Sequence, residues 1–213
     1  SSDGCSSDLY GLPNQTLKEW EKTLLKAISV DVNHISAYGL KIEKKTPFYT
    51  MYPDNHPDLP TDKDQEEMNL LATDILQTGG FNRYEISNYA QKGFESQHNI
   101  NYWTMGDYIG FGASAHSFIN RKRLKNTSNI QKYSANWHQE ESCKTVSLQE
   151  EKEETIFLAL RLTKGLDIEA YNNKYKEDFL DKYKKILKKY PDFIEVFPPF
   201  VRLNKKGILI SNY

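Results

Sequence analysis

The chain has 213 residues, a length for one large domain or one and a half smaller ones at roughly 150 residues per domain. Its 28 basic and 29 acidic residues nearly cancel, to a net charge of −1, which excludes a strongly basic nucleic-acid binder and gives no support to an acidic tail protein. Hydrophobic residues make up 38% and charged residues 27%, enough for a core, and no stretch reaches the ~18 consecutive apolar residues of a membrane-spanning helix.

The Ser-rich start, Ser1–Ser7, reads as loop, tag or the far side of a break, and with no initial Met the expectation is a piece of a longer protein. Gly11-Leu12-Pro13-Asn14 is turn chemistry. Leu17, Trp20, Leu24, Ala27 and Ile28 then recur at helical spacing, with Thr16 and Glu19 placed as a capping box. Residues 34–40 are short, apolar and β-compatible, and the loop–helix–strand order suggests part of a β/α architecture with parallel strands. Four prolines between Thr46 and Pro60 predict an irregular loop. A helix follows Thr61, with Met68, Leu71, Ala72, Ile75 and Leu76 on one face, and ends at Gly79-Gly80. Residues 83–87 are β-compatible. Beyond them lie a polar and aromatic segment, 88–103, and a glycine-spaced one, 106–117.

Composition shifts after about Glu140, which sets expected domains of 1–140 and 141–213. Residues 148–154 open an amphipathic helix through Ile156, Phe157, Leu160 and Arg161, and Gly165 stops it. Asp167 caps a short helix carrying Ile168 and Tyr171. Residues 174–189 hold seven Lys against three acids, a solvated helix face or a weak surface for an anionic partner. Two β-compatible pieces, 193–197 and 200–203, flank Pro198-Pro199. Three helices and a small hairpin make the pattern of a winged-helix-like domain.

The two cysteines, Cys5 and Cys143, are too few for a disulfide framework, a zinc site or an iron–sulfur cluster held by this chain's own thiolates. Their scarcity, and the lack of a leader-like stretch, give the expectation of a reducing, cytoplasmic setting.

Three clusters could carry chemistry. In Gln97-His98-Asn99-Ile100-Asn101-Tyr102-Trp103, a loop histidine beside two aromatics could ligate a metal or haem iron while the rings stack on a flat macrocycle. Alternatively His98 ties a loop in place and the aromatics pack in the core. In Gly110-Phe111-Gly112-Ala113-Ser114-Ala115-His116, small residues could bring backbone N–H groups to an anion. A tight strand-to-helix turn explains them equally well, and His116 can be an ordinary buried histidine. Asp8, before the Gly11 turn, sits where β/α barrels place ligand contacts, or is an ordinary turn residue. His34, His56 and His138 are isolated, and there is no nucleophile elbow, HExxH or P-loop.

Taken together, DLYGLPNQT (8–16), HISAYGLKIEKKTPFY (34–49), RYEISNYAQKGFESQHNINYW (83–103), GDYIGFGASAHS (106–117) and FLALRLTKGLDIEAY (157–171) resemble the oxygen-independent coproporphyrinogen III oxidase family of radical SAM proteins, most closely its HemW-like branch. The resemblance implies an α/β fold: the C-terminal half of a partial (β/α) radical SAM barrel over 1–140, then a small helical, winged-helix-like domain over 141–213. Family members bind a 4Fe–4S cluster through CxxxCxxC in their N-terminal half, a motif this chain lacks. Position for position, the resemblance implies S-adenosylmethionine (SAM) contacts at Asp8, near Leu40 and Lys41, and at Ala115 or His116. The sequence reads DLYGLP where the family has a DLIYGLP-type motif, one residue more. In HNxxY it implies haem binding at His98, through the iron, with Tyr102 in the same motif. The implied functions are haem binding for delivery to an acceptor protein, or oxidative decarboxylation of two coproporphyrinogen III propionates to vinyls by a 5′-deoxyadenosyl radical. A non-catalytic scaffold is the third reading for the chain as it stands, so whether it is an enzyme stays open. The expected partners are haem or a porphyrinogen and a haem acceptor, with no nucleic acid and no membrane span.

Overall fold

The computed structural model describes residues 4–136 and 140–211, so His138 lies outside the described residues. The chain forms two compact units, 1–95 with 203–213, and 96–202.

In the first unit, β1 (Cys5–Tyr10) runs parallel to β2 (His34–Gly39), pairing Cys5 with His34 through to Tyr10 with Gly39. Parallel neighbours need a crossover, supplied by α1 (Leu17–Ser29). The Thr16 side chain accepts from the Glu19 N–H, and the Glu19 carboxylate accepts from the Thr16 N–H. The capping box is therefore closed, as the residue types predict. Trp20, Leu24 and Ala27 bury one stripe of this helix. α2 (Pro47–Met51) is a short helix capped by Thr46, with Pro47 in its first turn. The irregular loop expected from the prolines thus contains a helical turn, because proline is favoured at a helix start.

α3 (Asp62–Thr78) buries Met68, Ala72 and Leu76. The Trp20 indole N–H donates to the Met68 carbonyl at 2.9 Å, joining the two helices inside the core formed with Tyr10, Ile35, Ala37, Phe81 and Tyr89. The sheet is completed by β3 (Asn82–Arg83) and β4 (Asn88–Ala90), in the order β1-β2-β4-β3. Two expectations change here. Residues 5–7 belong to a strand rather than a loop, because pairing with β2 satisfies their backbone. Residues 84–87 are mostly a tight connection between β3 and β4, and β4 runs antiparallel to both β2 and β3.

The second unit opens with α4 (Gln97–Trp103). β5 (His116–Ile119), β6 (Lys122–Asn126) and β7 (Glu140–Thr145), with α5 (Ile130–Ala135) between the last two, form an antiparallel sheet that the sequence reading did not anticipate. The glycine-spaced segment leads into β5, a strand, rather than into a helix. Its backbone donors are used internally: Gly110 N–H donates to Ser117 Oγ at 3.0 Å and Gly112 N–H to the Tyr133 hydroxyl at 2.9 Å. Asn126 Nδ2 donates to both glycine carbonyls.

α6 (Leu148–Ala159), β8 (Leu166–Asp167), α7 (Ile168–Tyr175), α8 (Phe179–Lys189), β9 (Ile194–Phe197) and β10 (Phe200–Leu203) follow. The last three strands make a second small sheet in the order β8-β10-β9. Its helices and hairpin share a core of Ala159, Leu166, Ile168, Tyr171, Tyr175, Phe179 and Val201. Asp167 caps α7, as expected. α9 (Lys205–Ile210) belongs to the first unit.

Two carboxylates tie these helices. Buried Glu151 meets Arg121 at 2.9 Å and Lys174 at 2.8 Å and accepts from the Tyr175 hydroxyl. Burial raises its pKa, but the Lys174 hydrogen bond and charge, Tyr175 and Arg121 outweigh that and leave it below the ordinary value. Glu177 accepts from Lys152, Lys182 and the Tyr171 hydroxyl. The bonds from Lys152 and Lys182 lead in bringing it from 4.5 to about 2.

Both groups have folded pKa values below their unfolded ones, so their stabilisation is full above about pH 4.3 and is lost as pH falls through the folded pKa. The folded fraction, followed by circular dichroism, should fall between pH 4.5 and about 2 for Glu177. Glu177→Gln should lose part of that acid sensitivity, and an unchanged acid transition would refute the assignment. A second prediction concerns the glycines. A Cβ at Gly110 would run into the His116 carbonyl oxygen, whereas one at Gly112 meets nothing but would require a φ of +109°. Gly110→Ala should cost about 2 kcal/mol or more and Gly112→Ala about 1 kcal/mol, read from urea denaturation midpoints.

Candidate functional site

Ser96 caps α4 by accepting from the Asn99 N–H. This puts His98 in the first helical turn rather than in the loop the sequence suggested. Four residues on, Tyr102 lies on the same face, and its ring meets the imidazole edge-on, centroids 4.7 Å apart. Tyr102 in turn meets Tyr108 at 4.6 Å and 73°. Tyr108 is paired through backbone with Phe118, its hydroxyl pKa raised by burial. A continuous aromatic ladder therefore leads from buried Phe118 to exposed His98. The imidazole nitrogens make no hydrogen bond with the described residues, which leaves a lone pair for a metal-bearing ligand.

Beside the ladder, the 106–117 segment presents Ile109 and Phe111, which are 61% and 79% exposed. Because the N–H groups of Gly110 and Gly112 are already bonded, this segment offers apolar side chains instead of the backbone anion cradle suggested by its glycines. His116 is exposed at the start of β5, opposite Lys125.

The other candidates lie in the first unit. Asp8 is opposite Ala37 and shares a strand face with Ser6 and Tyr10; Ser6 Oγ donates to it at 3.5 Å. Lys41 follows the C-terminal end of β2, largely exposed, 3.8 Å from Glu43. Asp8 and Lys41 thus lie toward the C-terminal ends of two parallel strands, the end at which open α/β sheets bind ligands.

Strand alternation puts Cys5, Ser7, Leu9, His34, Ser36 and Tyr38 on the opposite face, with Asn88 of β4. This polar face was not singled out from the sequence, although its period-2 pattern was there to be read. His34 is not isolated: Nδ1 lies 3.3 Å from the Cys5 sulfur, and Nε2 lies 2.8 Å from the Tyr84 hydroxyl. Burial pushes its pKa down. Ser36 donates to Asn88 Oδ1. His56 Nδ1 accepts from the Asp58 N–H.

A further pair was also missed. The Arg161 guanidinium lies over the Trp103 ring, 4.7 Å from its centroid. Trp103 Nε1 and Arg161 Nε are both buried without an acceptor, a situation that costs about 1–3 kcal/mol per group. Only hydrogen-bond accounting in three dimensions exposes it.

Among the described residues no three His, Cys, Asp or Glu side chains gather to hold a metal. Cys5 and Cys143 lie in different units. The residues present do not fit an iron–sulfur cluster.

Residues 146–210 match the family model of the HemN C-terminal domain. The chain is 33% identical over 210 residues to the heme chaperone HemW of Bacillus subtilis, covering 96% of this chain and 55% of that protein. It is 39% identical over 111 residues to the Escherichia coli heme chaperone HemW, covering 52% and 28%. A Danio rerio mitochondrial protein, radical S-adenosyl methionine domain-containing protein 1, is 34% identical over 108 residues, covering 51% and 24%. The solved structure of E. coli coproporphyrinogen III oxidase (HemN), a radical SAM enzyme, superposes with a TM-score of 0.79 at 16% identity, over 99% of this chain and 53% of that one. The chain spans about half the length of its B. subtilis relative. It belongs to the HemN/HemW family of radical SAM proteins and corresponds to the family's C-terminal part.

Proposed function

We propose that this chain is the haem-contacting part of a HemW-like haem chaperone, with the haem iron bound through His98. The carrying observation is the exposed imidazole, without a hydrogen-bond partner among the described residues, at the head of the Tyr102–Tyr108–Phe118 ladder. The ladder fits a haem cargo in two ways. Edge-on contact with Tyr102 restricts the ring's orientation without occupying a nitrogen, and nearby Ile109 and Phe111 offer apolar area to a flat macrocycle. The names of its HemW relatives support the same cargo, and delivery to an acceptor protein is part of the proposal.

In the same reading Asp8 and the chain near Lys41 in the first unit, and His116 in the second, are separate candidates for contact with SAM. SAM, when bound beside a reduced cluster, supplies a 5′-deoxyadenosyl radical. The two cysteines of this chain do not form the three-thiolate set such a cluster needs.

Haemin added to the protein should give a Soret band shifted by imidazole ligation. His98→Ala should lose that shift and weaken binding by about tenfold or more, ~1.4 kcal/mol. Unchanged absorbance and affinity in His98→Ala would overturn the proposal. Tyr102→Phe, which keeps the ring contact, should bind as the parent does.

A further inference from the structure

We infer that Arg161, stacked on Trp103, is a carboxylate-binding residue for the small molecule this family part holds: a porphyrin propionate or the amino-acid carboxylate of SAM. The inference rests on the reading that this chain contacts haem or SAM, and it adds the group that would recognise their common anionic function.

Three observations carry it. First, the other arginines of the second unit are each matched to a carboxylate: Arg121 to Glu151 at 2.9 Å, Arg123 to Glu154 at 2.6 Å and Arg202 to Glu195 at 3.0 Å. Arg161 has no carboxylate and no side-chain hydrogen bond among the described residues, and its guanidinium lies over the Trp103 ring. Second, each member of this contacting pair keeps a buried donor without an acceptor, Arg161 Nε–H and Trp103 Nε1–H. Buried donors are nearly always satisfied in folded proteins, so an adjacent unsatisfied pair marks a place for an acceptor. Third, Arg161 is only half-buried, so part of its side chain can be approached from outside.

The chemistry of the ligand follows from the donors. A guanidinium is a planar fork that matches the two oxygens of a carboxylate. Its contact with the indole face restricts where that fork can lie before anything binds. An indole N–H donates and cannot accept. A site of donors alone, charged +1 and pre-oriented, selects an anion with a planar pair of acceptors. The supporting elements are held firmly: the Arg161 N–H bonds the Leu158 carbonyl at the end of α6, and Trp103 closes α4, the helix that carries His98.

The test uses the whole chain and four probes: haemin, haemin dimethyl ester, SAM, and 5′-methylthioadenosine, which lacks the amino-acid portion. If a propionate is the ligand, the protein should prefer haemin to its diester by about tenfold. Arg161→Gln should abolish that preference while leaving the His98-dependent Soret position in place. If the SAM carboxylate is the ligand, the preference for SAM over 5′-methylthioadenosine should fall instead. Arg161→Lys should recover part of either preference, and Trp103→Phe, which keeps the ring and removes the N–H, should lose less than Arg161→Gln. An Arg161→Gln protein with an unchanged melting temperature and both preferences intact overturns the inference. Failure of the haem reading looks different: the Soret shift is then absent or independent of His98. A carboxylate preference for SAM that depends on Arg161 would survive that result.

Discussion

The parallel pairing of β1 with β2 is the constraint on which the first unit depends. Two parallel neighbours cannot be joined by a tight turn, so the chain must cross over through α1 and return, with Trp20, Leu24 and Ala27 turned to the sheet. Once that helix covers one face, strand alternation decides everything on the other. Ile35 and Ala37 go into the core, while His34, Ser36 and Tyr38 turn away from it. The same crossover sends both strands in one direction, so Asp8 and the chain near Lys41 arrive at one end of the sheet. The buried Trp20 N–H bonded to the Met68 carbonyl shows how closely α1 and α3 must approach for this to work, since no water is needed to satisfy the indole.

The second unit is organised by polar side chains as much as by apolar ones. Glu151 and Glu177 each gather cations from separate helices and loops. Desolvation is largely offset because every carboxylate meets more than one donor. The Gly110–Gly112 segment obeys the same accounting, with its N–H groups and carbonyls bonded to Ser117, Tyr133 and Asn126. What this segment can offer a ligand is therefore its side chains, Ile109 and Phe111, together with the aromatic ladder of α4.

The legibility of the sequence followed the range of the interactions. Local ones could be read: the Thr16–Glu19 box, the α3 stripe ending at Gly79-Gly80, and the Asp167 cap depend on residues three or four apart. Residues 5–7 of β1 were read as loop because Cys5, Ser6 and Ser7 carry no β-branched or aromatic side chain, and their strand character comes from pairing with residues 29 positions away. The β5-β6-β7 sheet was missed for a related reason. Lys122–Asn126 is polar at every position but Leu124, so no apolar alternation announces the strand. His98 could be singled out by its neighbours, but its helical setting depended on the Ser96 cap. The Arg161–Trp103 pair was beyond any sequence reading, because 58 residues separate its members and its signal is an unmet hydrogen bond.

The haem reading and the decarboxylation reading ask different things of the same residues. A carrier needs a ligand for the iron and a grip on the macrocycle that can be released. An exposed imidazole at the end of an aromatic ladder suits that need, because ligation is reversible and the ladder stays folded when the cargo leaves. A porphyrinogen has no iron, so His98 would have no metal to ligate. An arginine fork acts in both cases on the propionates, but to different ends. Pairing stabilises the charged carboxylate, which suits retention of a cargo, whereas decarboxylation must convert that carboxylate to neutral CO2 and lose the ion pair on the way. The exposed imidazole and the aromatic ladder therefore support the proposal of a porphyrin that is held over that of one that is transformed.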